Sequence, residues 1–222
     1  MGTLYLVRHG QASFGADDYD QISPLGARQS ERLGEHFREQ GLHFEAVITG
    51  TLRRHVQTWE GLSTGLGWAA EPLAWPGLNE YDSAALIDAL HTRPTAPPTT
   101  PEGYRQHFRL LRDALRQWMA GVLTPRGMPS YEDFVAGVTS ALDHVRAHHN
   151  GNVLMVSSGG PISTVVGHLL GTSPETTIEL NLRMRNTSVT EVDYNPKRHT
   201  LVSFNALPHL ARADLANWVT HA

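Results

Sequence analysis

The sequence predicts a layered α/β sandwich around a mostly parallel, mixed sheet, and three features lead to that class. Short apolar runs alternate along the chain with longer stretches of helical spacing. The first of these runs, Leu4-Tyr5-Leu6-Val7, is short and continuous, the signature of a strand buried on both faces of a parallel sheet. Near the C-terminus, Asn195-Pro196 followed by Lys197-Arg198 reads as a turn joining the last two strands into a hairpin, which makes the sheet mixed.

In chain order, strands are expected near residues 3–7, 46–49, 152–157, 189–194 and 200–205, with helices near 24–40, 52–66, 102–122, 131–149 and 161–170. Gly10 permits a sharp exit from the first strand. The second strand, Glu45-Ala46-Val47-Ile48-Thr49, runs through Gly50 into a helix with Thr51 as its expected N-cap. Residues 152–156 form a strand ending in two serines and two glycines, after which Pro161 fits the first position of a helix. The segment from Arg93 to Pro101 holds four prolines and admits neither regular helix nor central strand. It links the Glu80 helix to a helical excursion over the site, expected at about 82–128, with a proline-rich binding tail as the lesser alternative. No internal repeat is present, and 222 residues suit one domain, 1–222.

Chemistry-bearing residues collect where strands end. Arg8-His9-Gly10 places a guanidinium and an imidazole at the mouth of a buried strand, where open α/β sheets bind ligands. Arg53, Arg54 and His55 fall in the first turn of the following helix, where cations oppose the macrodipole; a bound phosphate compensates them. A solvated basic turn is the plainer alternative. Gly159-Gly160-Pro161 between strand and helix suits an anion cradle or a plain turn. It is neither a P-loop nor a nucleophile elbow, since no Gly-Lys-Ser/Thr follows and Val156 stands two before Ser158. Glu80 and Asp82 suit either acid chemistry or a helix start capped by Asn79.

Composition narrows the partners. A net charge of −4 without a basic stripe argues against nucleic acid and anionic membrane, so phosphate capture must come from a local pocket. No apolar stretch approaches a membrane span and no signal-like N-terminus is present, so a cytoplasmic location is expected. Cysteine is absent, which excludes disulfides and thiol nucleophiles. Among thirteen histidines, His144 with His148 or His149 is the best local metal candidate, but no carboxylate or cysteine completes a ligand pattern, and surface helix histidines are the preferred reading. No oligomeric state is assigned.

Four ordered stretches, Leu6-Val7-Arg8-His9-Gly10-Gln11-Ala12-Ser13, Ile22-Ser23-Pro24-Leu25-Gly26-Ala27-Arg28-Gln29, Thr51-Leu52-Arg53-Arg54-His55-Val56-Gln57-Thr58 and Leu78-Asn79-Glu80, resemble the histidine phosphatase superfamily, also called the phosphoglycerate mutase-like family. Residues 153–162 and 186–192 look like its C-terminal strands. The resemblance implies a three-layer α/β/α sandwich and a metal-independent phosphatase without cofactor, acting on a phosphorylated small molecule. By the same resemblance His9 is the nucleophile, Glu80 the acid and base, and Arg8 and Arg54 the catalytic cations. Gln11, Ser23, Ser158 and Gly159 join the two arginines around the phosphate. One residue departs from the pattern: the family's second catalytic His, directly before the Gly-Gly pair, is Ser158 here. Serine keeps a hydrogen-bond donor and loses the charge; removing one such preorganised donor typically costs about 10²–10³ in rate. A catalytically impaired phosphate-binding protein and a mutase-type phosphotransferase are the alternatives, although the chain resembles the shorter, phosphatase-like branch. His168 lies too far along its helix to replace the missing imidazole.

The excursion carries the candidates for a substrate wall: Tyr81, Tyr104, His107, Phe108, Arg109 and Trp118. The spacing of Phe108, Leu111 and Leu115 is equally that of a packing face.

Overall fold

The computed structural model describes residues 1–13, 20–90 and 100–221. The proline-rich stretch expected at 93–101 lies outside these residues as far as position 99. Among the described residues six strands form one sheet: β1 (Gly2–Arg8), β2 (Ala46–Thr49), β3 (Leu73–Ala74), β4 (Val153–Ser157), β5 (Val189–Asn195) and β6 (Arg198–Ala206), in the order β3-β2-β4-β1-β5-β6. The first four pair in parallel, and β5 and β6 add an antiparallel edge. Their hairpin closes on Asn195, whose Oδ1 accepts from Lys197 N at 2.8 Å and Arg198 N at 3.2 Å.

Seven helices flank the sheet among the described residues: α1 (Pro24–Glu39), α2 (Arg53–Leu66), α3 (Ser83–Leu90), α4 (Pro101–Met119), α5 (Tyr131–His148), α6 (Gly159–Leu170) and α7 (Pro174–Leu182). Because side chains alternate along a strand, each sheet face meets its own layer. Val7, Val47, Leu154 and Val156 pack against Leu33 and Phe37 of α1 and Trp59, Leu62 and Leu66 of α2. Leu4, Leu6, Ile48, Val153 and Met155 pack on the other side against residues of α3 to α7, including Trp118, Phe134, Val138 and Ile162. The result is a three-layer α/β/α sandwich.

Register determines what emerges at the strands' carboxyl edge. Arg8 lies opposite Ser157, and Thr49 opposite Val156. His9 N then donates to Ser157 O at 2.9 Å, and Gly50 N to Val156 O at 3.1 Å. His9, Gly50 and Ser158 therefore leave three adjacent strands side by side.

Several local expectations are corrected. Thr51 does not cap α2: Leu52 occupies the cap position, and the donor at Arg53 N is satisfied by Asp20 Oδ2 at 2.9 Å. Thr51 is instead tied to Asn79, with Thr51 N donating to Asn79 Oδ1 (2.7 Å) and Asn79 Nδ2 to Thr51 Oγ1 (2.6 Å). Asn79 thus caps no α-helix. Helix α3 starts later, with Asp82 Oδ1 accepting from Ala84 N and Ala85 N at 2.9 and 3.0 Å. Helix α6 begins at Gly159, which puts Pro161 third; the first-turn N–H groups have no intrahelical acceptor, so proline costs nothing there. Phe108 is 40% exposed, while Leu111 and Leu115 are buried, so the α4 packing face excludes it. Two elements lacked a readable signal: β3 is two exposed residues, and α7 buries only Thr177 and Ile178.

Candidate active site

His9 is 3% exposed at the end of β1. Its Nδ1 lies 2.8 Å from Gly10 O, so the ring donates there and leaves the Nε2 lone pair available. The His9 carbonyl accepts from Thr187 N and from Asn186 Nδ2, both at 3.3 Å. Thr187 adopts φ 53°, a left-handed conformation strained for a β-branched residue, and is held by Oγ1 to His209 Nε2 at 2.9 Å. On the other side, Gly10 N donates to Thr58 Oγ1 at 3.0 Å, which fixes the strand exit against α2. Burial above all, then the charges of Arg8 and Arg54, hold the His9 pKa well below the ordinary value. The imidazole is therefore neutral.

Arg8 and Arg54 are 5% and 7% exposed and flank this ring. Arg8 Nη1 donates to Met184 O, and Arg54 Nη1 pairs with Asp20 Oδ1 at 2.7 Å. Arg53 is exposed.

Glu80 is half-buried and lies over the start of α6. Its Oε2 accepts from Gly160 N at 3.2 Å, and Oε1 from Tyr81 N at 3.3 Å. Loss of solvation raises its pKa, opposed by those two N–H groups and by Arg54 and Arg8. The same two guanidiniums thus act on both His9 and Glu80. The carboxylate's seat needs Gly160: a Cβ there would lie 2.1 Å from Glu80 Oε1 and 2.7 Å from Tyr81 Cε1. Below, Ser157 Oγ donates to Leu78 O at 2.7 Å and anchors the approach to Glu80.

Ser158 is fully buried and caps no N–H of α6; its Oγ lies 2.7 Å from His55 Nε2. The His55 ring centroid stands 5.9 Å from that of His9. Gly159, the first residue of α6, is buried against Asn181, whose Nδ2 donates to Tyr81 Oη at 2.7 Å. Gln11 and Ser23 hold each other: Ser23 Oγ donates to Gln11 Oε1 at 2.8 Å, Ser23 N to Gln11 O at 2.7 Å, and Ser23 Oγ also accepts from Gly26 N as the α1 cap. Both therefore brace the loop after His9.

His168 is exposed in the last turn of α6, at the far end of that helix from Ser158. His144 stacks on His148 at 4.4 Å and touches Trp75, while His149 meets Glu45 Oε1 at 3.0 Å. Among the described residues no three His, Asp or Glu side chains gather as a metal site, and no helix is long and apolar enough to cross a membrane. Of the wall candidates, Trp118 is buried with Nε1 bonded to Pro129 O, and Tyr81 lines a small apolar cavity with Trp118, Tyr131 and Phe134 beside Gly160. Tyr104 and His107 are half-buried on α4, and Arg109 is exposed.

Sequence reasoning missed Asp20, Asn186, Thr187 and the His55–Ser158 contact. All four act across long sequence separations, and none has a local signature.

Several known proteins are similar to this chain. A putative phosphoserine phosphatase of Hydrogenobacter thermophilus is 27% identical over 94% of this chain and 98% of its own. A broad-specificity phosphatase of Saccharomyces cerevisiae is 25% identical over 86% of this chain and 79% of its own. A probable phosphoglycerate mutase of Yersinia enterocolitica is 28% identical over 86% of this chain and 84% of its own. Among solved structures, phosphoserine phosphatase from Entamoeba histolytica in complex with 3-phosphoglyceric acid superposes with a TM-score of 0.69 at 20% identity, covering 95% of this chain and all of that one. The family model of the histidine phosphatase superfamily, branch 1, matches residues 4–207. A chain matched over nearly its whole length, with a histidine and two arginines buried together where its strands end, belongs to the histidine phosphatase superfamily.

Proposed function

We propose that this protein is a metal-independent phosphatase that hydrolyses a phosphomonoester of a small metabolite through a phosphohistidine on His9. The observation that carries this reading is the buried His9 ring, tied by Nδ1 to Gly10 O and flanked by two buried arginines, whose charges with burial lower its pKa. Phosphoryl transfer needs an in-line nucleophile and charge on the equatorial oxygens. His9 Nε2 forms the N–P bond while the ester P–O bond breaks, and Glu80 passes its proton to the leaving oxygen. The Glu80 carboxylate then takes a proton from water, whose oxygen forms the new P–O bond as the N–P bond breaks. Inorganic phosphate leaves, and both residues return to their starting states. Arg8, Arg54 and the Ser158 hydroxyl hold the phosphoryl oxygens, with Gly159 close by at the start of α6. Gln11 and Ser23 shape the rim.

The names of the relatives point to phosphorylated carboxylic acids as first substrates to try. Mutase-type transfer is the second reading, favoured by one relative's name. The test is phosphate release from p-nitrophenyl phosphate, phosphoserine and 3-phosphoglycerate with a chelator present, for the protein and its His9→Ala variant. Release that vanishes in the variant is expected. Release that survives it overturns the mechanism, and phosphoryl transfer to a second metabolite without release selects the mutase.

A further inference from the structure

We propose that His55 is a positioning residue of the same site, an imidazole that sets the direction of the Ser158 hydrogen bond so that the serine hydroxyl donates to the phosphoryl oxygens. The inference rests on the phosphohistidine reading above and adds to it a function for a histidine outside the expected set.

His55 is fully buried on the first turn of α2, with Nε2 2.7 Å from Ser158 Oγ and its ring beside that of His9. Among the described residues its Nδ1 has no hydrogen-bond partner. That edge lies against Gly50, where a Cβ would stand 2.2 Å from Nδ1, so the glycine is what admits the ring. An orphaned buried N–H is costlier than an under-used lone pair, which places the proton on Nε2 and the lone pair on Nδ1. Nε2–H then donates to Ser158 Oγ. Among the described residues this is the only hydrogen bond of that hydroxyl, which does not cap α6. Its own proton is thus left to donate elsewhere, and the three adjacent strand ends set it next to His9. The opposite tautomer would turn the hydroxyl toward His55 and away from the substrate. Burial and the neighbouring Arg54 charge bring the His55 pKa down to about 3, so the ring works as a neutral donor. Gly50, His55 and Ser158 together thus build on α2 and β4 a donor that neither element offers alone.

The experiment has two arms. Imidazole ¹⁵N shifts of the histidine-labelled protein near neutral pH, with the His55 signals assigned by their loss in His55→Ala, report the tautomer without altering the site. Nε2 protonated and Nδ1 bare is expected; the reverse overturns the proposal. In kinetics, Ser158→Ala is expected to lower kcat by about 10²–10³ and His55→Ala by on the order of 10-fold or more, with KM little changed. The double variant His55→Ala with Ser158→His, which refills the emptied space with an imidazole from the neighbouring position, is expected to recover most of kcat. Recovery separates orientation from fold damage, which the swap would worsen. Turnover that needs His9 but is unmoved in His55→Ala overturns this inference alone; turnover that survives His9→Ala overturns the parent reading as well.

Discussion

At the scale of single residues, the site separates two titratable groups in opposite directions. Burial keeps His9 unprotonated and Glu80 protonated beyond the ordinary carboxylate range. The proposed first step needs both at once. As pH rises through the elevated Glu80 pKa, the acid is lost and turnover of an alkyl phosphate falls. In Glu80→Gln that limb disappears, and the alkyl substrate slows by about 10²–10⁴. p-Nitrophenyl phosphate, whose leaving group needs little protonation, slows far less. Equal slowing of both substrates across pH would remove Glu80 from the acid role. His9 and the paired arginines were readable because they sit in short contiguous motifs at predicted strand ends. Asp20 was not, because its carboxylate reaches Arg53 N and Arg54 Nη1 from more than thirty residues away.

At the scale of elements, strand β4 and helix α6 meet in a turn whose glycines are spatial requirements. The carboxylate of Glu80 occupies the volume that a side chain at 160 would need. Gly160→Ala therefore displaces Glu80 and Tyr81, and kcat on an alkyl phosphate is expected to fall by about 10² or more, the cost of losing the acid. Inorganic phosphate should still protect the variant against heat, because Arg8 and Arg54 are untouched. Full activity in Gly160→Ala would mean that Glu80 does not work from this seat. Sequence patterns located the strands and long helices to within a few residues, since burial imposes periodicity on them. Caps were less legible: Ser23, Thr100 and Ser130 cap their own helices, whereas α2 borrows Asp20 and α6 yields its serine to His55.

At the scale of the whole molecule, the sheet and its two helical layers hold several histidines neutral in the interior. His55 and His209 are both pushed down to about 3, chiefly by burial. Below about pH 6.5 the unfolded chain binds protons on these rings and the folded chain does not, so stability rises with pH between about 3 and 6.5. Each contributes a loss of about 2 kcal/mol on going from pH 7 to pH 5. The raised pKa of Glu80 acts the other way, its penalty easing as pH falls, so one histidine is best isolated by substitution. Urea midpoints at pH 5 and pH 7 should show a smaller difference in His209→Gln than in the parent protein; an unchanged difference would contradict the buried neutral ring. The layered class was legible from alternating strand and helix patterns, but the junction that brings β1, β2, β4 and the Thr187 turn to one point arises only from the sheet order. The central claim is that this point forms a covalent phosphohistidine. It is tested most directly by mixing enzyme and substrate, quenching within one turnover in alkali, and mapping the phosphoryl group by mass spectrometry. An alkali-stable, acid-labile phosphoryl on the His9 peptide that forms and decays at the turnover rate is expected; phosphate release with no phosphorylated His9 at any time would overturn the mechanism.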